Sequence, residues 1–453
     1  MHPSLTIRGL KCGWSNSAVG PKFGSTRLAS AMRASPDSAG FAGWGGMRGA
    51  LTLAVLSAML LAAFQLAHAQ TETVLYSFCA QPSCADGAYP TFVTPVLDKK
   101  GNLYGTTNSG GTYGYGTAFE VTPSGTETIL HSFDWTDGAA PQAGLILDKK
   151  GNLYGTAAYG GYGYGTVFEL TPSGTETTLV NFDFTDGANP LGSLIEDSEE
   201  NLYGTTSSGG AYGYGTVFEL APSGTETVLY SFDTNGYGYY PGEGLVMDKL
   251  GNLYGTTGAG GAYGYGTVFE LTSSGTVTIL YSFGKNGTDG WSPAGVLVRD
   301  RKGNLYGTTI YGGAYKKGCF GIGCGTVFKL TPSGKKTILH NFDNNGTDGW
   351  YPYAGLVRDA KGNLYGTTMG GGAYGDSVCY PYGCGTVFKL TPSGKETILH
   401  SFDPNAGDGS NPWGGLVFDE NGNLYGTTVY GGAYNCGPYG SPYGCGTVFK
   451  LTP

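Results

Sequence analysis

The sequence predicts an all-β fold, a seven-bladed β-propeller with four antiparallel strands per blade, and three observations carry that prediction. The string Asn-Leu-Tyr-Gly-Thr recurs from Asn102, Asn152, Asn201, Asn252, Asn304, Asn363 and Asn423. A second string, Gly-Thr-(Val/Ala)-Phe-(Glu/Lys), keeps step with it from Gly116, Gly165, Gly215, Gly266, Gly325, Gly385 and Gly446. Composition is the third: of 453 residues 83 are Gly and 34 Tyr, with only 13% charged. Such usage favours turns and aromatic strands and opposes helix, where an interior Gly costs roughly 1 kcal/mol relative to Ala. A fixed period of about fifty residues marks a repeat architecture.

Each unit parses into four short strands. The first is of the Gly-Leu-Val-x-Asp type (144–148, 355–359), the second is Asn-Leu-Tyr-Gly-Thr-Thr, and the third is Thr-Val-Phe-Glu-Leu. The fourth, Glu-Thr-Ile-Leu-His-Ser-Phe in its fullest form, ends on Phe78, Phe133, Phe182, Phe232, Phe283, Phe342 and Phe402. Asp-x-x-Gly-Asn joins first to second strand from Asp98, Asp148, Asp248, Asp359 and Asp419, with Asp to cap the turn and Gly to supply positive φ. Thr-Pro-Ser-Gly (171–174) joins third to fourth. Four strands in such a period match a propeller blade. The repeats open on a fourth strand (71–78) and stop after a third strand, at Pro453. A last blade that takes its outer strand from the N-terminus therefore closes a ring without free edges. A linear β-solenoid would leave those half-blades unpaired and need caps.

The N-terminus reads as a targeting segment. An apolar run at 50–67 follows Arg48 and meets Ala67-His68-Ala69, a small-x-small cleavage pattern. Cleavage after Ala69 is expected, so 1–69 is a signal peptide region, and Met47 is the alternative start. A membrane anchor competes with this reading, but polar repeat sequence follows at once; Gln70 stands where a lipobox would need Cys. Residues 70–453 form the propeller, and no membrane span is expected after cleavage. Six of the 25 basic residues and one of the 34 acidic ones precede residue 70, leaving 70–453 at a formal −14. Nucleic acid is excluded as a partner, since phosphate binding rests on Lys and Arg. The eight Cys of this part fall in close pairs, Cys79/Cys84, Cys319/Cys324, Cys379/Cys384 and Cys436/Cys445. Four local disulfides follow, in an exported protein of the extracellular space, periplasm or outer surface. Zinc is the competing reading, but no His accompanies the pairs.

The strings Asn-Leu-Tyr-Gly-Thr-Thr, Gly-Gly-Ala-Tyr and Gly-Thr-Val-Phe-Glu-Leu-Thr-Pro-Ser-Gly resemble the GloVer (Gloeo-Verruco) repeats of the choice-of-anchor tandem repeat proteins, over nearly all of 70–453. The resemblance implies a bacterial exported protein, from a family with varied C-terminal sorting signals and no established biochemical activity. No such anchor follows Pro453, so free secretion is expected.

Propeller topology places the second-to-third loops and the connections between blades on one face, and here those segments are long, variable and hold all eight Cys. Loops of that kind on a rigid scaffold carry binding. Trp135, Trp291, Trp350 and Trp413 lie in the inter-blade connections beside Asp137, Asp289, Asp348 and Asp408 of a recurring Asp-Gly. Tyr113, Tyr115, Tyr162, Tyr164, Tyr212, Tyr214, Tyr263 and Tyr265 add to the same face. Aromatic rings beside carboxylates suit stacking on sugar rings, so these four Trp and four Asp are the expected ligand contacts. The competing reading is packing between blades and simple turn chemistry. The loops 343–348 and 403–408 resemble calcium sites but lack a closing bidentate Glu; Asx turns are expected there, with no cofactor and no metal. His131, His340 and His400 share one repeat position on outer strands and are expected in solvent, too far apart to converge on a metal. Neither a Gly-x-Ser-x-Gly elbow nor a His-Glu-x-x-His pair occurs, so no catalytic residue is assigned.

The expected function is a monomeric, non-enzymatic binding module for an extracellular glycan or protein surface. A propeller hydrolase or lyase with axial carboxylates and a structural envelope protein are the alternatives. The units are not equivalent: Glu120, Glu169, Glu219 and Glu270 stand in the third strands of units 1–4, Lys329, Lys389 and Lys450 in those of units 5–7.

Overall fold

The computed structural model describes residues 71–374, 379, 383–436 and 443–452. The expected signal peptide and its cleavage point lie outside the described residues. The fold is a seven-bladed propeller of four-stranded antiparallel sheets. Blade 2 is typical, running from an inner strand Ile146–Leu147 through Leu153–Ala157 and Thr166–Leu170 to an outer strand Glu176–Asn181. In the last blade the N-terminal strand Thr71–Ser77 pairs with the C-terminal strand Thr447–Thr452, Thr71 opposite Thr452 and Ser77 opposite Thr447. The ring is thus closed as the half-blades require. Among the described residues no α-helix occurs, only one-turn 3-10 pieces at Pro82–Cys84 and Pro404–Ala406.

The motifs explain themselves in cross-strand contacts. The Gly of Asn-Leu-Tyr-Gly-Thr faces the Phe of the third strand, as Gly155 faces Phe168. A Cβ at Gly155, Gly204 or Gly366 would stand 2.5 to 2.8 Å from the tip of that ring. Glycine is therefore required to let the ring lie flat over the second strand. The same ring meets, edge to face, the Phe that ends the outer strand of the preceding blade. Phe133–Phe168, Phe182–Phe218, Phe232–Phe269, Phe283–Phe328, Phe342–Phe388 and Phe402–Phe449 repeat one geometry at 5.0 to 5.3 Å, and Phe78–Phe119 repeats it across the closure. All of these rings are buried. The paired Thr of the second and third strands share a buried hydrogen bond, 2.8 Å for Thr368 and Thr386.

The turns follow their sequence signals. Asp98 accepts from the Lys100 and Asn102 backbone N–H groups at 2.8 Å, and Gly101 takes φ 88°. All four expected disulfides are formed, Cys79–Cys84, Cys319–Cys324, Cys379–Cys384 and Cys436–Cys445. All eight of these Cys lie in the loops of the loop-rich face and are buried there. Cys324 sits beside Val327 and Phe342, and Cys384 beside Val387 and Phe402. The reason is that each stands directly before the Gly-Thr-Val-Phe strand, at the foot of its loop, where the next inter-blade connection crosses it. The Cys324 carbonyl accepts from the Tyr351 N–H at 2.9 Å and the Cys384 carbonyl from the Asn411 N–H at 2.7 Å. These two bridges therefore anchor loops to the core. Two others converge at the closure, where sulfurs of Cys79, Cys84 and Cys445 lie within 4.8 Å of one another.

The inner strands are shorter than the five residues that the repeat predicts. Most pair over two residues, such as Val357–Arg358; only blade 5 has a long one, Trp291–Arg299, broken by a bulge between Ala294 and Val298. The cause lies at the axis. Residues just before the paired stretch give their carbonyls to the preceding blade, as Ala143 accepts from Thr106 Oγ1 at 3.1 Å, and press backbone to backbone. A Cβ at Gly144 would stand 2.5 Å from the Thr94 carbonyl.

Two substitutions test this account. Phe388→Ala empties an inter-blade contact and should cost about 3–5 kcal/mol. Gly366→Ala, which drives a methyl into that same ring, should cost about 1–3 kcal/mol. Urea unfolding reads both, and an unchanged midpoint for Gly366→Ala would contradict the role given to this glycine.

Candidate functional site: the axial cavity and the blade junctions

The seven inter-blade connections converge on the axis and line a cavity of about 140 Å³. A second cavity of about 300 Å³ adjoins it, walled by inner-strand residues such as Leu145, Leu356 and Leu416. Both touch Thr94, Ser193, Val296, Gly355 and Gly415, which form the neck between them. Glycine sets the bore there. At Gly295, φ 70°, a Cβ would stand 2.0 Å from the Gly355 nitrogen.

Three rings gather in the first cavity: Phe92 lies 5.2 Å from Trp413 and 6.0 Å from Tyr353, and Tyr353 lies 5.9 Å from Trp413. The Trp413 Nε1 is buried and has no acceptor among the described residues. Glu243 is the one carboxylate in the wall among the described residues. Burial pushes its carboxyl up to about 7, against a bond from the Gly295 backbone that favours ionisation. This group both donates and accepts near neutral pH.

The four tryptophans divide. Trp135 is 43% exposed and lies 5.5 Å from Tyr115, while Trp291 lies between Tyr265 and Tyr311. Trp413 faces the axis. Trp350 differs from the expectation of a ligand contact: it is 1% exposed and packs against Tyr351 at 4.3 Å, so the packing reading holds for it. Around these, Tyr113, Tyr162, Tyr212 and Tyr263 are exposed.

The four aspartates also turn away from the loop-rich surface. Asp289, Asp348 and Asp408 are buried and Asp137 half-buried, each in the seam between two blades. Asp289 accepts from the Tyr281 hydroxyl at 2.8 Å and the Gly284 N–H at 3.0 Å. Asp348 and Asp408 take the Asp343 and Asp403 N–H groups at 2.9 and 3.2 Å. The loops 343–348 and 403–408 are Asx turns, with Asn345 Oδ1 accepting from the Thr347 and Asp348 N–H groups.

These seams hold groups that the repeat pattern did not bring together. Each joins an outer-strand residue, the residue before Gly in the Asp-Gly position, and a residue at the start of the next blade's outer strand. His131, Asp137 and Glu176 meet at one seam; His340, Asp348 and Glu396 at another; His400, Asp408 and Glu72 at the closure. The histidines, expected in solvent, have side chains only 18 to 21% exposed. They do not converge on one another, but each converges on two carboxylates from neighbouring segments. Elsewhere only the His position changes in Tyr76/Asp86/Glu127 and Val180/Asp186/Glu226, whereas two or three members change in Tyr281/Asp289/Lys336 and Tyr230/Tyr237/Val277. Desolvation, joined by repulsion from the neighbouring Asp, pushes Glu72 and Glu396 up to about 8 and Glu127 and Glu226 up to about 7. Burial lowers the Lys336 ammonium while Asp289 supports it at 2.8 Å.

A pH dependence follows from Glu226. Its folded-state value lies above the ordinary 4.5, so the folded chain holds this proton more tightly than the unfolded one. Its contribution is therefore fully present below about 4.5 and is lost as pH rises through about 7. With allowance for solvent at this half-exposed group, about 1 kcal/mol is at stake. Glu226→Gln should lower the slope of denaturant stability against pH between 5 and 8 by that amount; a variant with the parent's slope would refute it.

Comparison with known proteins bears on the fold and the family. No curated protein matches the chain. The extracellular domain assigned to a hybrid two-component system of B. thetaiotaomicron superposes with TM-score 0.53 at 14% identity, over 85% of this chain and 41% of that one. A similar domain, assigned to a one-component system of the same organism, gives 0.51 at 12%, over 84% and 40%. The chain thus spans about two fifths of the length of these structures, and the likeness is one of fold. The model of the Gloeobacter/Verrucomicrobia repeat matches residues 62–257 and 243–439, in agreement with the GloVer strings in every blade, and the chain belongs to that repeat family.

Proposed function

We propose that the chain is an exported, non-enzymatic binding module that takes a neutral extracellular glycan across its loop-rich face, with one ring or terminal group seated in the axial cavity. The observation that carries this reading is the cluster of Phe92, Tyr353 and Trp413 around an indole N–H without an acceptor among the described residues, in a cavity whose wall also holds Glu243. A sugar offers what such a wall lacks: hydroxyl oxygens for the indole, and C–H faces for the rings. Trp135, Trp291 and the exposed tyrosines extend the contact outward. A formal −14 over residues 70–453 disfavours polyanions, so a neutral polymer fits best. Disulfides and the extracellular neighbours support export.

Retaining or inverting glycoside hydrolysis uses two carboxyl groups about 5–10 Å apart. A single carboxylate in the described wall supports binding over turnover. The experiment is an array of neutral oligosaccharides probed with the full chain, then with Phe92→Ala and Trp413→Ala. Each variant should lose tenfold or more in affinity, and Trp135→Ala/Trp291→Ala a smaller factor. Retained binding in Phe92→Ala/Trp413→Ala would sink the axial assignment. Release of reducing sugar, abolished by Glu243→Gln, would favour a hydrolase; no binding at all, a structural role.

A further inference from the structure

The three seams that hold a histidine have the ligand set of a metal centre. We propose that His340, Asp348 and Glu396 bind a divalent transition-metal ion of the zinc or cobalt type, with His131/Asp137/Glu176 and His400/Asp408/Glu72 as weaker copies of the same site. In each, one ligand atom from each of three side chains lies within 4.8 Å of the others. An imidazole nitrogen with two carboxylate oxygens suits zinc, cobalt or nickel and not calcium or magnesium, which take oxygen alone.

At the His340 seam the two spacings from the imidazole are those of a coordination shell. Ligands about 2.1 Å from a tetrahedral ion stand about 3.4 Å apart. His340 Nε2 lies 3.3 Å from Asp348 Oδ2 and 3.5 Å from Glu396 Oε2. At the other two seams the His–Asp hydrogen bonds are shorter, 2.7 and 2.6 Å against 3.3 Å for His340 and Asp348, so those triads must open further to admit an ion. A cavity of about 400 Å³ adjoins His340, Asp348 and Glu396, with room for water to complete the shell.

An independent observation comes from the neighbouring seam, where the repeat has put a cation in the same place. Lys336 occupies the position of Glu396, each opposite the last residue of its third strand, Leu330 and Leu390. Its ammonium lies 2.8 Å from Asp289 Oδ1 and also donates to the Asp289 carbonyl. Tyr281 takes the place of His340 there. The seam is thus built to hold positive charge against its Asp. Where Lys is replaced by Glu and Tyr by His, the Asp loses that ammonium, and an imidazole and a second carboxylate stand in its place as ligands for an ion.

Each ion would join two blades, since the ligands come from an outer strand, the connection after it and the next outer strand. At the closure it would tie the N-terminal strand, through Glu72, to His400 and Asp408. This stapling makes metal uptake visible in stability.

The test uses the full oxidised chain, stripped with chelator and titrated with Zn²⁺ alone in a calorimeter, with Tm measured in parallel. One tight site is expected first and up to two weaker ones after it, with a rise in Tm. His340→Tyr/Glu396→Lys rebuilds the Tyr281/Lys336 seam, so it should fold and should lose the tightest site while keeping the weaker ones. Crystals soaked in Zn²⁺ supply a measurement that needs no variant: an anomalous peak is expected among His340, Asp348 and Glu396 and none between Asp186 and Glu226. No stoichiometric uptake, an undiminished tight site in the double variant, or no peak at the His340 seam would each overturn the proposal.

Discussion

Everything in this ring depends on one contact made in every seam: the edge of an outer-strand Phe set against the third-strand Phe of the next blade. It repeats at 5.0 to 5.3 Å, including Phe78 against Phe119 across the closure. A blade of four short strands cannot bury its own faces, so its stability resides in its neighbours. The glycine of Asn-Leu-Tyr-Gly-Thr is subordinate to this contact, because only a residue without Cβ lets the third-strand ring lie low enough to be met from the next blade. The N-terminal strand matters for the same reason. It carries Phe78, and without it the seam between the last and first blades would have no outer ring.

Close packing at the seams has a second consequence, at the centre. Seven blades drawn together at one radius press their inner segments against each other, and the chain accommodates this with glycine and with carbonyls given to neighbouring threonines. Inner strands pair over only two residues in most blades, and the axis narrows to a neck between two small cavities. Symmetry alone would make that centre featureless. Departures from it, Phe92, Glu243, Tyr353 and Trp413, give the mouth its chemistry, and each comes from a different blade.

The architecture was legible because it repeats. Strand order, turn chemistry, closure and disulfide pairing all rest on contacts within one unit or on its recurrence. What was not legible depends on contacts between units, about fifty residues apart in sequence. Trp350 and Trp413 look alike on the chain, but one is buried in a seam and the other borders the axis. Cys324 and Cys384 pair as their spacing predicts, yet the following inter-blade connection covers them. The histidines read as exposed because an outer strand faces solvent on one side, but a residue at the start of the next blade's outer strand shields them. A signal was present nonetheless. At two seams the changes go together, Val277 with Tyr237 and Lys336 with Tyr281, although Tyr76 and Val180 replace His with Glu127 and Glu226 kept. Such joint change across neighbouring repeats reports contact within a single sequence.

The same comparison separates the two kinds of asymmetry in this ring. Third-strand Glu120 and Glu270 accept a hydrogen bond from second-strand Tyr104 and Tyr254, whereas Lys329, Lys389 and Lys450 stand 5.5 to 5.7 Å over the equivalent tyrosine rings. Tyrosine serves both charges, by its hydroxyl or by its face, so this exchange leaves the scaffold intact while changing the charge of a sector. The seam triads are different. Buried carboxylates held together need a proton, a lysine or a metal ion, and the choice couples neighbouring blades. One asymmetry therefore tunes the surface and the other tunes the ring itself. Both lie away from the axial mouth, which leaves ligand recognition at the centre free to vary without disturbing what closes the propeller.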